Sequence, residues 1–484
     1  MINRKNVNLL LLFIIFVIGL ALRIHRVGED SFWYDEVGQV EAALQPHIID
    51  ILNAVRIHAG AMPLDYLVTK FMTMFSLREE IIRLPAVLWG TFSIVIYYLL
   101  IAQLEIPYRE QTALLSAFLI ALSPVNIQYS QEARFYASLM FFYGLATFFL
   151  VKAVTTHAPK NWLAYLICNI IGIYFHPYLI FTIITGFLLI AHQVFIKKEG
   201  QNINGFRENL ISYIACCAST IIVFLPGYVF FHAQDAYAYE FGLAPDSVLY
   251  GLGLKATVSS EFVPPFGIWH ISLFFGLFAG VVFIQKHLVR YASVSPLLTS
   301  VIIQIIIIML LDYWNGYPFI PRQVAHFTPF VYLLFSIGFW EITSHLKNKV
   351  YRRIVVSILL AGLILTALPY IELVYDYSKG GTREIAQAII ERHQPGEKVV
   401  TIYAQHETVL RFYLSQLVGE NDAARITESF EKLEDIKTYI QDNPEVHFVY
   451  LPRNTDADVR KEIVDLGFKL LKISEDTDFI FVRK

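Results

Sequence analysis

The run Phe32-Trp33-Tyr34-Asp35-Glu36 sets two adjacent carboxylates among large aromatic side chains, directly after an apolar stretch. Apolar neighbours solvate a carboxylate poorly and strengthen it as a proton acceptor, which is what a general base requires. The same two acids equally suit the first turn of a helix near 35 to 44, where they would cap free backbone N–H groups. A second constellation, Ser123-Pro124-Val125-Asn126-Ile127-Gln128-Tyr129-Ser130-Gln131-Glu132-Ala133-Arg134-Phe135-Tyr136, gathers six kinds of polar side chain between two apolar runs. Polar groups at a bilayer edge are costly unless paired or used, about 2.5 to 3.5 kcal/mol for a centrally placed Asp or Arg. A simple Glu132–Arg134 cap and ion pair would not need so many of them.

Two further groups belong to this chemistry. His176-Pro177 forms a tight turn between apolar runs, and Tyr317 to His326 precedes another. Arg322 suits a phosphate clamp, because guanidinium donates bidentately to phosphate oxygens and stays charged. His176 taken alone is equally an ordinary interfacial histidine. Carboxylates and cations on one membrane face fit a reaction between an amphipathic phosphate ester and a hydroxyl nucleophile.

Those residues must be positioned by a membrane protein. Of 484 residues, 56% are hydrophobic and 16% charged, and the mean hydropathy is +0.52, so the bilayer is the solvent for most of the chain. With 38 Lys+Arg against 41 Asp+Glu, nothing in the totals points to nucleic acid. Cys168, Cys216 and Cys217 lie in apolar runs at spacings that suit neither a disulfide framework nor a zinc site, and read as core thiols.

Apolar stretches fall near 8–27, 83–101, 112–127, 134–152, 161–176, 178–196, 210–230, 268–285, 296–312, 323–342 and 353–373, which predicts about eleven spans. The first reads as an uncleaved anchor, since Arg23-Ile24-His25-Arg26 follows it where a small-residue cleavage site would stand. Pro63 to Phe75 is apolar but short, and carries Asp65 and Lys70. If it does not cross, nearly every basic loop falls on one side: Arg4/Lys5, Arg109, Lys152/Lys160, Lys197/Lys198/Arg207, Lys286/Arg290 and Lys347/Lys349/Arg352/Arg353. We therefore read it as an interfacial helix, with the N-terminus cytoplasmic and both the candidate site and everything after about 375 extracytoplasmic.

The expected organisation is a membrane domain, 1–375, with long external loops 27–82 and 231–267, and an extracytoplasmic α/β domain, 376–484. The Tyr-rich stretch 235–240 in the second loop fits an interfacial aromatic belt. In the C-terminal domain we expect helices at 382–393, 405–417, 428–441 and 455–465, and strands at 398–403, 446–451, 468–473 and 478–483. Their alternation predicts a mainly parallel sheet with one antiparallel edge. Gly380-Gly381 follows a span and not a strand, so it is no phosphate-binding loop.

At these residues the chain resembles the GT-C fold glycosyltransferases, in the branch of the protein O-mannosyltransferases and the lipid A aminoarabinose transferases. The resemblance rests on Trp33-Tyr34-Asp35-Glu36, on Pro63-Leu64-Asp65-Tyr66, on Glu80 to Pro85, and on Ser123-Pro124 with Ser130 to Tyr136. Arg322 to Pro329 is similar to the family's Arg-Tyr-Leu-x-Pro-x-x-Pro stretch, with His326 where a proline is common. It implies a polyprenyl-phosphate sugar donor arriving from the membrane and a glycan, lipid or protein acceptor reaching in from outside. Asp35 would be the catalytic base, Glu132 the second acid and Glu36 its neighbour in the motif, with Arg134, Arg322, His326 and His176 holding the carrier phosphate. The family includes metal-independent and metal-binding members, so the resemblance leaves a divalent cation open. Ala61-Met62 stand before Pro63 where some members place Lys or Glu.

A transporter or flippase for a lipid-linked sugar is the alternative from another class. Against it, the acids cluster at one face and not at the midplane, and no inverted repeat or pair of broken helices is visible.

Overall fold

A computed structural model describes residues 4–56, 62–195, 203–232, 248–249, 251–254, 268–315, 320–376, 380–452, 455–473 and 478–483. Ala61, Lys197, Lys198, the stretch 235–240, Pro264-Pro265 and Tyr317 lie outside these. The chain divides into two compact units. One holds 1–25, 45–71 and 83–374; the other holds 26–44, 72–82 and 375–484. The expected boundary was 375/376, and the unit containing Tyr375–Lys484 also takes in two pieces of the first loop.

In the first unit each of the expected apolar stretches carries a helix: Arg4–Ile24, Leu84–Ala102, Arg109–Leu122, Tyr136–Thr156, Pro159–Phe175, Thr182–Phe195, Ile203–His232, Ile268–Lys286, Ser295–Asn315, Thr328–Ser344 and Lys349–Asp376. Among the described residues seven helices are long and apolar enough to cross a membrane, or eight if Arg109–Leu122 and Pro124–Ser130 form one bent span. Their outward faces are apolar, as at Phe13, Ile222, Phe275 and Leu365, so this is a multi-pass integral membrane protein. Pro63–Thr73 is a helix of 11 residues. At 1.5 Å per residue it is about 16 Å long, too short for a hydrocarbon core of about 30 Å.

Lipid offers helices no hydrophobic reason to associate, so small residues and buried hydrogen bonds hold them. A Cβ on Gly338 would stand 2.2 Å from the Gly276 carbonyl oxygen, which is how closely helices Thr328–Ser344 and Ile268–Lys286 approach. Tyr143 donates to Gln304 (3.0 Å), whose amide donates to Thr185 (3.2 Å), tying three helices together in the slab. Cys168 and Cys216 are buried and Cys217 half-buried, all as free thiols.

The second unit is built on a five-stranded sheet, β1 (Lys398–Ile402), β2 (Thr427–Phe430), β3 (Val446–Leu451), β4 (Phe468–Leu471) and β5 (Phe479–Arg483), in the order β2-β1-β3-β5-β4. The β1–β2 and β1–β3 pairs are parallel, and the β3–β5 and β4–β5 pairs antiparallel. Two expectations are corrected. The antiparallel strand β5 lies inside the sheet, because its neighbour β4 adds beyond it. The helix expected at 428–441 is instead β2 followed by a helix Leu433–Asp442, preceded by an unforeseen short helix Glu420–Ile426. Thr427-Glu-Ser-Phe430 pairs with β1, and that pairing overrides a weak local preference. Val400, Val449, Ile436 and Phe481 are among the side chains closing its core.

Candidate active site

The second constellation sits on a broken span. Proline lacks an N–H and forces extended backbone on the residue before it, and Ser123 has ψ 116°. Helices Arg109–Leu122 and Pro124–Ser130 consequently meet at 59°. Ser123 Oγ accepts from the Asn126 N–H (3.3 Å) and from the Tyr332 hydroxyl (2.7 Å), restarting the chain as a helix. The carbonyls freed at the break are met by Arg23, which is fully buried. Its Nη2 donates to Ile120 O (3.0 Å), its Nη1 to Ala121 O (3.3 Å) and Gly19 O (3.0 Å), and its Nε to Ser130 Oγ (3.1 Å). Non-helical backbone at membrane depth survives only when its polar groups are satisfied in this way. Gly90 allows the approach, since a Cβ there would lie 1.9 Å from Ser130 Oγ.

Just past the break the chain turns, with the Arg134 N–H donating to Glu132 O (2.7 Å). Glu132 and Arg134 are both buried, and Gln128 Nε2 reaches Glu132 Oε1 at 3.5 Å. Phe135 and Tyr136 form the spine of a cluster. Arg134 stands over the Phe135 ring (5.4 Å to the centroid) and Arg322 over the Tyr136 ring (5.8 Å). The His176 imidazole lies 4.1 Å from Phe135 and 4.5 Å from Tyr178, ring centre to ring centre. Its Nδ1 accepts from the Tyr178 N–H (3.2 Å), which leaves the proton of the neutral ring on Nε2. Two guanidinium groups and an imidazole donor are thus gathered on one aromatic ladder, an arrangement suited to an anion.

The ring of His326 lies elsewhere. It is 1% exposed and packs 5.3 Å from Tyr143 and 3.9 Å from Phe327, among aromatic side chains. Gln323, which sequence reading passed over, enters instead: its Oε1 accepts from the Ile320 N–H (2.7 Å) and its Nε2 donates to Tyr178 Oη (3.4 Å). Gln323 also stands beside Asp312, a buried acid ending helix Ser295–Asn315. An acid closing an apolar run was the available signal for Asp312. Arg23 had the same signal but read only as a flank of the first span.

Asp35 and Glu36 belong to the second unit, in the first turn of helix Tyr34–Leu44. Glu36 is fully buried and its Oε2 accepts from the Trp33 N–H (3.3 Å), so the capping role falls to it. Asp35 is half-buried. Among the described residues no group of three or more His, Cys, Asp or Glu is arranged to hold a metal ion.

Comparison with solved structures decides the fold. The oligosaccharyltransferase of Archaeoglobus fulgidus superposes with a TM-score of 0.58 at 11% identity, over 92% of this chain and 70% of that one. ArnT from Cupriavidus metallidurans, bound to undecaprenyl phosphate, superposes with a TM-score of 0.53 at 12% identity, over 97% of each chain. The chain has the GT-C fold. Within this GT-C chain, residues 61–227 match the family model of the dolichyl-phosphate-mannose-protein mannosyltransferases. The matched segment includes the broken span, the Glu132–Tyr136 turn and His176. No curated protein matches the chain by sequence.

Proposed function

We propose that this GT-C protein is a glycosyltransferase that moves a sugar from a polyprenyl-phosphate donor to an extracytoplasmic glycan, lipid or protein acceptor by inverting displacement. The observation that carries the reading is the pair of guanidinium groups, Arg134 and Arg322, on the Phe135–Tyr136 ladder beside His176. Two guanidinium groups stacked on adjacent rings beside an imidazole donor make a positively charged, hydrogen-bond-donating surface, which suits an anionic headgroup. The anion of a lipid carrier fits, and ArnT, of the same fold, has been solved with undecaprenyl phosphate.

In this reading the acceptor oxygen bonds to the anomeric carbon as the bond from that carbon to the phosphate oxygen breaks. The acceptor proton passes to Asp35, and the lipid phosphate leaves with the bonding electrons. Arg134, Arg322 and the Nε2–H of His176 hold the charge that develops on the leaving phosphate, the usual source of catalysis in such transfers. Glu132 is the second acid of the site. Glu36 fixes the start of the helix that carries Asp35.

Purified protein supplied with polyprenyl-phosphate sugars and envelope acceptors should transfer label from donor to acceptor, with the lipid phosphate as the other product. Envelope glycans and lipids compared by mass spectrometry with and without the gene name the sugar and acceptor. Donor movement across vesicles with no transfer would replace this reading with the flippase.

A further inference from the structure

In the second unit the segment that leads into Asp35 is held, bond by bond, by the C-terminal chain. Arg383 donates through Nη1 to Gly28 O (3.3 Å) and through Nη2 to Glu29 O (2.9 Å), and its backbone N–H donates to Ser31 Oγ (3.0 Å). The Phe32 N–H, three residues before Asp35, donates to the Tyr413 hydroxyl at 2.6 Å. The Phe32 ring is fully buried against Phe412 (6.0 Å) and Tyr413 (6.5 Å). One buried carboxylate joins the two anchors: Glu79 Oε1 accepts from the Tyr413 hydroxyl (2.8 Å), and Glu79 Oε2 pairs with Arg383 Nη1 (2.8 Å). Arg383 is further gripped by Glu384 (2.8 Å).

A C-terminal domain that only docked a ligand or covered the protein would not need to meet the Gly28 and Glu29 carbonyls, the Ser31 hydroxyl and the Phe32 N–H in turn. A base works only if its oxygen is held near the proton it takes, and displacement of about 1 Å costs on the order of 10²-fold in rate. We infer that Arg383, Tyr413 and Glu79 are positioning residues for Asp35, so that the C-terminal domain sets the geometry of the proposed base without touching substrate. The inference rests on the transferase reading for its catalytic consequence; the anchoring itself is testable without any activity.

Tyr413→Phe keeps the ring packed on Phe32 and deletes only the hydroxyl that both accepts from Phe32 and donates to Glu79. Arg383→Ala removes the second anchor. A cavity of about 340 Å³ bordered by Arg383, Glu79 and Gln387 admits water to the carboxylate left behind, so that variant does not bury a bare charge. Hydrogen exchange of the full-length protein in detergent should show amides 28–36 exchanging at least about tenfold faster in both variants. Strand amides 398–402 and 446–451 should keep their wild-type rates. In the transfer assay kcat should fall about 10- to 100-fold with the donor KM unchanged, and Arg383→Lys should recover part of it. Unchanged exchange at 28–36 overturns the anchoring, and so does equal loss of protection in the strands, which marks general unfolding. Loosened 28–36 amides with wild-type kcat overturn the positioning role. Wild-type protein that transfers no sugar overturns the function reading instead, and the exchange result still decides the anchors.

Discussion

The Glu132–Tyr136 turn and the Asp35 helix are both acid-bearing elements, yet they are held in place by opposite means. The first rests on a break in a membrane span, fixed by a buried arginine on backbone carbonyls and by ring against ring. The second rests on hydrogen bonds and an ion pair supplied by a domain of soluble character. In lipid a freed carbonyl has no water to turn to, so the break is satisfied internally and tolerates no loosening. In a domain of soluble character the same groups turn to water when the chain unfolds, so each polar bond contributes only about 0.5 to 1.5 kcal/mol net, or about 1.5 to 3 where a charged group takes part, and several are needed to immobilise one helix. The difference teaches that the broken-span turn, the proposed anion holder, is rigid by necessity, whereas the helix carrying the proposed base is rigid by accumulation.

The sharpest way to separate the two regions is to remove the function of each without its fold. Asp35→Asn is nearly isosteric and should lower transfer about 10²- to 10⁴-fold, some 3 to 5.5 kcal/mol of transition-state stabilisation, with binding of undecaprenyl phosphate unchanged. Glu36→Gln should leave much more activity, its carboxylate being spent on the Trp33 N–H. If Asp35→Asn keeps wild-type turnover and Glu132→Gln abolishes it, the base belongs to the broken span and the comparison reverses.

Arg322→Ala should weaken undecaprenyl phosphate binding by about 1.5 to 3 kcal/mol, or roughly 10- to 150-fold, as for a lost bond between charged groups. Arg322→Lys keeps the charge but not the fork and should fall between. Titration of the purified variants with the lipid is the measurement, and equal affinities for all three would remove Arg322 from the site.

Next comes rigidity. Gly90→Ala puts a methyl within 1.9 Å of the present position of Ser130 Oγ. It should push Ser130 off Arg23 and cost about 1 to 3 kcal/mol, lowering the melting temperature of the membrane unit. Exchange at 28–36 should stay as in the wild type, since those anchors lie in the other unit.

The smallest effect concerns pH. Burial lowers the His406 imidazole below its ordinary 6.5, with Asp478 opposing. The folded unit therefore binds this proton less readily than the unfolded chain, and stability is present above 6.5 and lost as pH falls through the folded value. Strand amides of β1 and β3 should lose protection on acidification below pH 6.5, and His406→Gln should flatten that slope. A membrane unit that lost protection over the same range to the same extent would erase the proposed contrast.

Much of this was legible in the primary structure because bilayers impose a coarse rule. Every apolar run long enough to need lipid became a helix, and Ser123-Pro124 marked its own break. The strands with strong period-two or continuous apolar character, 398–402 and 446–451, were found where expected. Thr427-Glu-Ser-Phe430 was not, since only its partner β1 makes it a strand.

Residue types and spacing by themselves determined that the chain lives in a membrane, where its helices fall, and which few polar residues are too expensive to be idle. Tertiary structure decided which of them meet. It stacked Arg134 and Arg322 on one ladder with His176, sent the His326 ring among Tyr143 and Phe327, and brought in Gln323 and Asp312. It turned Arg23 from a span flank into the cap of a broken helix, and gave residues 26–44 to the C-terminal domain's unit. The physical reason is range: hydropathy and proline act within a few residues, whereas the stacking of Arg322 on Tyr136, the capping of Ile120 O by Arg23, 97 positions away, and the grip of Arg383 on Glu29, 354 positions away, join distant parts of the chain, which no local pattern encodes.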